Sequence, residues 1–569
     1  MLELSLLLLI PLLLAWPLGR YMAGIFSTAP HFSDRLFLPV ETRLFRLLGI
    51  DPAAGMDWKA YARAFLFSNV IAGVLGFGLL LLQVWLPLNP DGIGPLSWDL
   101  ALHTAVSFLT NTNQQHYSGQ AQLSYLSQSL VLETLQFITP AMALAVCVAV
   151  LRGMAGGRNP QAPEGEERDL GNYYVDLVRG VVRLLLPLAL ILALLLASQG
   201  VPSTYSGAVT TPVLDQAATQ VTQTIPLGPV AAMVAIKQLG TNGGGWYGSN
   251  SSNPLENPTP LSNALEMTAI ILLPMATAIM AGYLLGNRRF ALLALAAMGL
   301  LCLLAVAAIG WSELQPNAAF SGLAAAGPNM EGKEVRFGPL DSALWATLTT
   351  QTSNGSVNAM QDSLNPIGGL VTLAGMLINA VWGGVGCGFV NFLVYVWIAV
   401  FLSGLMIGRT PEIFGRKIET REITWLGILI VLPTFCILGF SALALTFPAL
   451  TGNSNPGFHG IGQVFYEYTS AFANNGSGFE GLNDNSLWWN LSCTVCLLLG
   501  RYLPLVIPLL IAGSLARKKA VPAGVGTLAL DNATFCFTLV TVILILNFLS
   551  FLPSLVLGPI GEAVQLAQP

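Results

Sequence analysis

The chain has 569 residues, of which 54% are hydrophobic and only 9% are charged, and its formal net charge is −5. Soluble domains carry roughly 25% charged residues. This composition, with a mean hydropathy of +0.66, therefore excludes an ordinary soluble protein and predicts a polytopic membrane protein. The seven cysteines all lie in apolar segments, which is typical of buried reduced thiols and predicts no disulfide framework.

Apolar stretches long enough to cross a bilayer, about 20 residues each, follow one another along the chain. They lie near 3–24, 63–87, 129–151, 175–198, 263–285, 290–311, 423–447, 486–511 and 533–556. A further apolar region, 366–408, is too long for one simple helix and is interrupted by a glycine-rich run at 383–388. Hydropathy alone leaves open whether this region crosses once or twice.

The distribution of Lys and Arg decides between the two counts. Basic residues cluster in 25–63, 152–183, 286–289, 409–421 and 512–530, whereas 88–128 and 448–485 contain none. Basic loops face the cytoplasm, and the alternation holds only if 366–408 makes one net crossing as a broken helix. We therefore predict ten spans, with both termini on the extracytoplasmic side of the membrane.

Four short polar segments rich in glycine or asparagine lie on the predicted external side. They occupy 110–114, 240–245, 352–356 and 473–477, and their asparagines Asn113, Asn242, Asn354 and Asn475 recur at near-equal intervals. A short apolar or Thr-rich run precedes each segment and predicts a short helix. Glycine allows the chain to turn consecutive carbonyls toward one axis, and a ring of carbonyls can replace the hydration shell of K⁺.

The spans and polar segments group into four repeats, each with a span, a short pore helix with its loop, and a second span. The predicted boundaries are 63–152, 175–285, 290–408 and 423–512. One extra helix precedes the repeats within 1–62, together with a cytoplasmic loop, and another follows them within 533–569. The predicted fold is thus an all-α membrane protein with four repeats, similar to K⁺ channels and transporters.

Two basic residues stand in unusual places. Arg501 lies in the middle of the span 486–511, where a cation is costly and usually functional, and we expect it to be a fixed charge below the filter. A structural partnership with a backbone carbonyl, or with a buried carboxylate such as Glu133 or Glu266, is the alternative. Lys237 lies in the short helix before the second polar segment, where a structural or subunit-contact role is favoured.

The chain lacks a G-x-x-x-x-G-K-[ST] phosphate loop and an Asp-Lys-Thr-Gly motif, and its four histidines have no metal-ligand spacing. We therefore expect no catalysis by this chain, no cofactor other than K⁺ as bound substrate, and no nucleic-acid partner. Its surroundings are expected to be the lipid bilayer.

Several long motifs resemble one known family, the potassium-binding subunit (KdpA type) of the bacterial high-affinity K⁺-transporting P-type ATPase. They lie at 104–113, 237–245, 256–260, 350–356, 404–412 and 472–478, spread over nearly the whole chain. The resemblance implies that K⁺ enters through the filter and passes along an intramembrane tunnel to an ATP-hydrolysing subunit of the KdpB type. Small KdpC-type and KdpF-type subunits are the other implied partners.

The resemblance also implies roles for particular residues. The first repeat would contribute Asn111, Thr112 and Asn113 to the filter, with Gln115 just beyond, and the second would contribute Thr241, Asn242 and Gly243. The third would contribute Ser353, Asn354 and Gly355, and the fourth Asn474, Asn475 and Gly476. Gly383, Gly384, Gly386 and Gly388 resemble the gating loop of the family, and Arg501 resembles its arginine below the filter.

Two departures from the family pattern stand out. Gln114 takes the place that we assign to glycine in the first repeat, and Asn379 stands where some relatives have a carboxylate that could pair with Arg501. Two other functions remain open. The polar segments alone also fit a stand-alone K⁺ channel or symporter of the same superfamily, and a non-transporting membrane protein is the third possibility.

Overall fold

The computed structural model describes residues 2–27, 29–156, 169–213, 222–320, 327–522 and 528–567. Within these ranges, ten helices are long and apolar enough to cross a membrane, which confirms the predicted number of spans. The chain is mostly helical, and its helices pack around one large apolar core that includes residues from nearly every span.

Nineteen α-helices follow one another along the chain. They are α1 (Leu2–Ile25), α2 (Asp34–Leu48), α3 (Trp58–Leu81), α4 (Trp98–Leu109), α5 (Gly119–Gln122), α6 (Glu133–Ala155), α7 (Tyr173–Arg179), α8 (Leu186–Ser198), α9 (Val230–Leu239), α10 (Pro260–Leu284), α11 (Arg288–Glu313), α12 (Gly338–Gln351), α13 (Pro366–Ile378), α14 (Cys387–Met406), α15 (Thr420–Thr446), α16 (Gly457–Ala473), α17 (Leu487–Arg517), α18 (Ala533–Leu555) and α19 (Gly561–Leu566). A turn of π-helix precedes α6 and another joins α7 to α8, so that each of these groups forms one continuous rod. The chain between α18 and α19 is kinked instead, because Gly558 has non-helical backbone angles (φ −105°, ψ −112°).

The order of long helix, short helix and long helix occurs four times. The short helices are α4, α9, α12 and α16, and each one ends within a few residues of a polar segment that the sequence singled out. The predicted interruption of 366–408 is present, because α13 ends at Ile378 and α14 begins at Cys387. The helix breaks there since Trp382, Gly383, Gly384 and Gly386 all have positive φ angles.

Two small antiparallel hairpins interrupt the helical fold, and the sequence analysis did not predict them. Strands β1 (Val209–Pro212) and β2 (Thr222–Ile225) pair in the long loop before α9. Strands β3 (Glu412–Ile413) and β4 (Arg416–Lys417) form a two-residue pairing before α15. Both hairpins lie in connections between helices, and two isolated β-bridges, Lys333 with Ala359 and Glu480 with Leu482, also lie outside the helices.

The burial of the spans separates inner helices from outer ones. α6 and α10 are buried along most of their length, whereas α3, α15 and α18 expose many leucine, valine and phenylalanine side chains. In a membrane protein such exposed apolar faces are in contact with lipid or with another membrane helix. The inner helices thus form a rigid frame around the four short helices.

One histidine and two carboxylates connect the last helix to these inner elements. His459 on α16 lies 2.9 Å from Asp362 through Nε2 and 2.8 Å from Glu562 through Nδ1. Burial lowers the pKa of His459, but the hydrogen bonds and charges of these two carboxylates outweigh it and raise the pKa to about 10. The protonated ring therefore links α16, the loop before α13, and α19.

We expect this link to stabilise the fold in a pH-dependent way. Because the folded pKa of about 10 lies above the ordinary value of 6.5, the stabilisation is complete below the ordinary value and is lost as the pH rises through the folded one. His459→Gln should lower the Tm measured near neutral pH and change it much less in strongly alkaline buffer. A difference in Tm between the two proteins that is the same at both pH values would contradict the assignment.

Candidate functional site

The ends of the four short helices are equivalent in their backbone hydrogen bonds. In each repeat, one residue of the polar segment donates its N–H to the carbonyl oxygen of the residue five positions earlier. The pairs are Thr112 to Ser107 (2.9 Å), Asn242 to Lys237 (2.8 Å), Asn354 to Thr349 (3.0 Å) and Asn475 to Ser470 (2.9 Å). The four segments therefore share one register, in which Thr112 is the counterpart of the three asparagines.

The φ angles confirm this register. The residues before and after the hydrogen-bonded one have left-handed φ values in all four repeats: Asn111 (62°) and Asn113 (54°), Thr241 (51°) and Gly243 (83°), Ser353 (50°) and Gly355 (88°), and Asn474 (53°) and Gly476 (102°). The glycine position of the first repeat is thus occupied by Asn113. Our assignment of Gln114 to that position was wrong by one residue, because asparagine tolerates the left-handed conformation that glycine adopts in the other repeats.

The segments contact one another in a ring. A side-chain carbon on Gly243 would clash with the carbonyl oxygen of Asn354, and one on Gly355 would clash with that of Asn475. On the fourth segment, a side-chain carbon at Gly476 would clash with the carbonyl oxygen of Thr112. The side chain of Asn111 closes the ring by donating to the carbonyl oxygen of Thr241 at 3.0 Å.

Asparagine side chains brace the third and fourth segments against the short helix of the preceding repeat. Asn354 Nδ2 donates to the carbonyl oxygen of Lys237 at 3.1 Å, and Asn475 Nδ2 donates to that of Thr349 at 2.8 Å. These carbonyls lie at the C-terminal ends of their helices, where the helix dipole is negative and favours a cation. The ring is therefore both stiff and electrostatically suited to a positive ion.

The first segment also presents an unpaired polar group. Asn113 is buried, and among the residues that the structure describes neither atom of its amide has a hydrogen-bond partner. An unpaired buried amide is costly unless a ligand satisfies it. Gln115 is placed differently, because it exchanges two hydrogen bonds with the backbone of Gly245, at 3.2 and 2.9 Å.

The predicted gating loop and Asn379, four residues before it, together lie directly against three of the four segments. The N–H of Val385 donates to Thr241 Oγ1 at 3.1 Å, and the N–H of Gly383 donates to the carbonyl of Gln351 at 2.7 Å. Asn379 accepts a hydrogen bond from Ser353 Oγ at 2.7 Å and donates to the carbonyl of Ala473 at 3.1 Å. Asn379, which stands where some relatives have a carboxylate, is thus a neutral bridge between the third and fourth segments.

Glycines make this loop possible. A side chain on Gly388 would clash with the backbone of Gly383, and one on Gly386 would lie 2.6 Å from the Cα of Leu144 on α6. Gly384 has a φ of 85° and packs against the carbonyl of Thr352. All four predicted glycines of the loop thus occupy positions that larger residues would distort.

Arg501 lies beside the same loop. It is buried and donates to the carbonyl oxygen of Thr139 at 3.3 Å. In the described part of the chain no carboxylate forms an ion pair with it, so neither Glu133 nor Glu266 is its partner. Arg501 lines a small cavity together with Asn379, Asn474 and Gly500, immediately next to the third and fourth segments.

This small cavity adjoins a larger one. Asn379, Asn391 and Pro504 line both, and the larger cavity continues between α13, α14, α15, α17 and α18 to Tyr395 and Asn547. Its walls are mostly apolar, with polar groups from Asn379, Asn391 and Asn547 spaced along it. The cavity thus extends from the fourth segment between helices of the third and fourth repeats and α18.

Lys237 belongs to a second polar cluster, beside the second segment. Its side chain is fully buried and forms an ion pair with Glu256, and it donates to Asn250 and Ser251, each at 2.7 Å. Gln238 continues the cluster by donating to Glu266 at 2.8 Å. This arrangement agrees with the structural role that the sequence favoured for Lys237.

A third cluster, beside the first and fourth segments, was missed by the sequence analysis. His116, Glu467 and Cys493 offer three ligand atoms within 4.8 Å of one another. Both ring nitrogens of His116 lie within hydrogen-bond distance of other groups, Glu467 at 3.2 Å and Asn490 at 2.8 Å. We therefore interpret this cluster as a hydrogen-bonded ion pair rather than a metal site.

The electrostatics of the histidines agree with that interpretation. Burial lowers the pKa of His116, but the charges of Asp484 and Glu467 and the hydrogen bond to Glu467 outweigh it and raise the pKa. Burial and the neighbouring His116 lower the pKa of His103 well below its usual range. The pKa values of the two stacked rings are thus shifted in opposite directions.

Ten apolar helices and a ring of four equivalent polar segments define a four-repeat helical membrane protein. The family model for the potassium-transporting ATPase A subunit (KdpA) matches residues 5–564, and the chain belongs to this family. The potassium-transporting ATPase potassium-binding subunit of Gloeobacter violaceus is 48% identical over 96% of this chain and 94% of its own length. The protein of the same name from Geobacillus kaustophilus is 45% identical over 98% of both chains.

Among solved structures, the potassium transporter TrkH from Vibrio parahaemolyticus has a similar fold. The TM-score is 0.50, and the alignment covers 89% of this chain and 97% of that one, at 16% sequence identity. The similarity supports the predicted class of fold.

Proposed function

We propose that this chain is the K⁺-binding and translocating subunit of an ATP-driven potassium uptake system in the bacterial inner membrane. The filter consists of the four segments 111–113, 241–243, 353–355 and 474–476, with Gln115 just beyond the first. The observation that carries the proposal is the four-fold repetition of one backbone hydrogen bond and two left-handed residues. Such a ring offers backbone carbonyls to a dehydrated monovalent cation without any carboxylate in the filter itself.

The path after the filter turns sideways. The loop 383–388 closes the inner side of the filter, and Arg501 places a positive charge beside it that opposes free leakage of K⁺ toward the cytoplasm. The adjoining cavity between the third and fourth repeats supports a lateral tunnel to the ATP-hydrolysing subunit of the KdpB type. KdpC-type and KdpF-type subunits complete the proposed complex, and both termini of this chain lie on the extracytoplasmic side.

A stand-alone K⁺ transporter is the second candidate, because the fold resembles that of the potassium transporter TrkH. The two candidates differ in whether this chain needs its partners. Cells lacking other K⁺ uptake systems would be given either this chain alone or the chain with its partner subunits, and growth at micromolar K⁺ would be recorded.

We expect growth only when the partner subunits are present. Growth supported by this chain alone would eliminate the ATPase-coupled function and favour the stand-alone transporter. A catalytically inactive ATPase subunit is the matched control, since it preserves the assembly and removes only ATP hydrolysis. Growth with that inactive subunit would also contradict the proposal.

A further inference from the structure

Glu467 is a buried carboxylate that connects the fourth short helix to the first filter segment. It lies on α16, seven residues before Asn474. Its carboxylate accepts hydrogen bonds from Gln114 Nε2 and from His116 Nε2, the latter at 3.2 Å. Glu467, Gln114 and His116 are all nearly inaccessible to solvent. A buried carboxylate of this kind is retained only where polar partners satisfy it.

The orientation of His116 is fixed from its other side. Its Nδ1 lies 2.8 Å from Asn490 Oδ1, and Asn490 Nδ2 donates to Asp99 Oδ2 at 2.9 Å. Because the Asp99 carboxylate only accepts, the oxygen of Asn490 faces His116 and Nδ1 must donate to it. His103 stacks on the ring at a centroid distance of 3.7 Å and approaches Gln114 Oε1 at 3.4 Å.

Gln114 transmits this network to the filter. It directly follows Asn113, and its carbonyl oxygen accepts a hydrogen bond from Ser107 Oγ at 3.1 Å. Gly476 of the fourth segment packs against Thr112 and against the backbone nitrogen of Gln114. A displacement of Gln114 would therefore move the carbonyls of the first segment and their contact with the fourth.

The first repeat lacks an asparagine brace that the third and fourth repeats have. In the third repeat, Asn354 Oδ1 accepts the N–H of Ser356 at 2.9 Å. In the fourth repeat, Asn475 Oδ1 accepts the N–H of Ser477 at 3.0 Å. Thr112 occupies the asparagine position in the first repeat, and its hydroxyl is instead paired with Thr110 at 2.8 Å.

We propose that Glu467 and His116 are positioning residues that hold the first filter segment through Gln114 and thereby set K⁺ affinity and ion selectivity. The hydrogen bond from Gln114 to Glu467 replaces the asparagine brace of the third and fourth repeats. This inference rests on the proposed function, since the property that it explains is K⁺ recognition. The test gives different results for a failure of this inference and for a failure of the proposed function.

The test measures K⁺-stimulated ATP hydrolysis of the purified, assembled complex as a function of K⁺ and Rb⁺ concentration. Glu467→Gln and Gln114→Glu each disrupt the amide–carboxylate pair, and the combined variant restores it in reverse. We expect each single variant to raise the half-saturating K⁺ concentration about tenfold or more with little change in maximal rate, because a hydrogen bond to a charged group is lost. The combined variant should recover most of the affinity.

His459→Gln is the matched control, because it removes an ion-paired residue from the same helix α16 and should leave the half-saturating K⁺ concentration unchanged. A wild-type complex without any K⁺ stimulation would overturn the proposed function. A stimulated wild type with both single variants within twofold of it, or with no recovery in the combined variant, would overturn this inference alone. If Glu467→Gln did not assemble, Gln114→Leu would carry the same comparison with no charge change.

Discussion

Gly355→Ala is expected to raise the K⁺ concentration for half-maximal ATPase stimulation by about a hundredfold. Gly355 has a φ of 88°, and an added side-chain carbon would collide with the carbonyl oxygen of Asn475 in the next segment. The chain must then shift either its own backbone or that carbonyl. Both movements misplace an oxygen that the proposed filter offers to the ion.

The measurement is a K⁺ titration of ATP hydrolysis by the assembled complex, repeated with Rb⁺ and Na⁺ to record selectivity. Gly439→Ala is the matched control, because Gly439 lies on α15 with no atom near its added carbon and with an ordinary helical φ. The control should behave as the wild type. Equal affinities in Gly355→Ala and Gly439→Ala would show that the third segment does not contact the ion.

Lys237→Met is expected to destabilise the protein by about 3–5 kcal/mol, the usual cost of breaking a buried ion pair. Lys237 and Glu256 are both fully buried, and the ammonium group also donates to Asn250 and Ser251. Methionine preserves the apolar stem but leaves Glu256 with the N–H of Tyr247 as its remaining hydrogen bond. The uncompensated carboxylate therefore dominates the loss.

Thermal unfolding of the complex, followed by intrinsic fluorescence, measures this effect. The double variant Lys237→Met with Glu256→Gln should recover part of the lost Tm, because it removes the stranded charge. Arg289→Met breaks the exposed contact with Asp531, where the two charges lie 3.8 Å apart, and should change Tm little. Similar losses of Tm in Lys237→Met and Arg289→Met would show that burial does not make the loss of the Lys237–Glu256 pair more costly than the loss of an exposed one.

Much of the architecture could be predicted from patterns within short windows of sequence. Loop charges fixed the number of spans, and the run of glycines at 383–388 located the broken helix, because both features act locally on insertion and on backbone geometry. The short helices followed from their position before each polar segment. The boundaries of the repeats remain predictions, as do the roles of individual filter residues.

The details that depend on contacts between distant residues could not be predicted. Asparagine was used as the common point of the four segments, and this misplaced the first repeat by one residue because Thr112 replaces the asparagine there. The pairing of Gln114 with Glu467 joins residues 353 positions apart, and no sequence pattern connects them. The neutral bridge made by Asn379 likewise depends on the fold bringing Ser353 and Ala473 to either side of it.

The glycine contacts around the ring all run in one rotational direction, from the second segment to the third, the third to the fourth, and the fourth to the first. Each segment thus packs against the next one, so the displacement caused by a bulky residue in one segment is transmitted around the ring. Divergence among the four segments is consequently tolerated where the replacement keeps its contact with the neighbouring segment, as Thr112 does by accepting a hydrogen bond from Asn474 Nδ2 at 3.0 Å. It is penalised wherever backbone meets backbone. A substitution at one of these backbone contacts is therefore harmless only if the neighbouring segment changes with it.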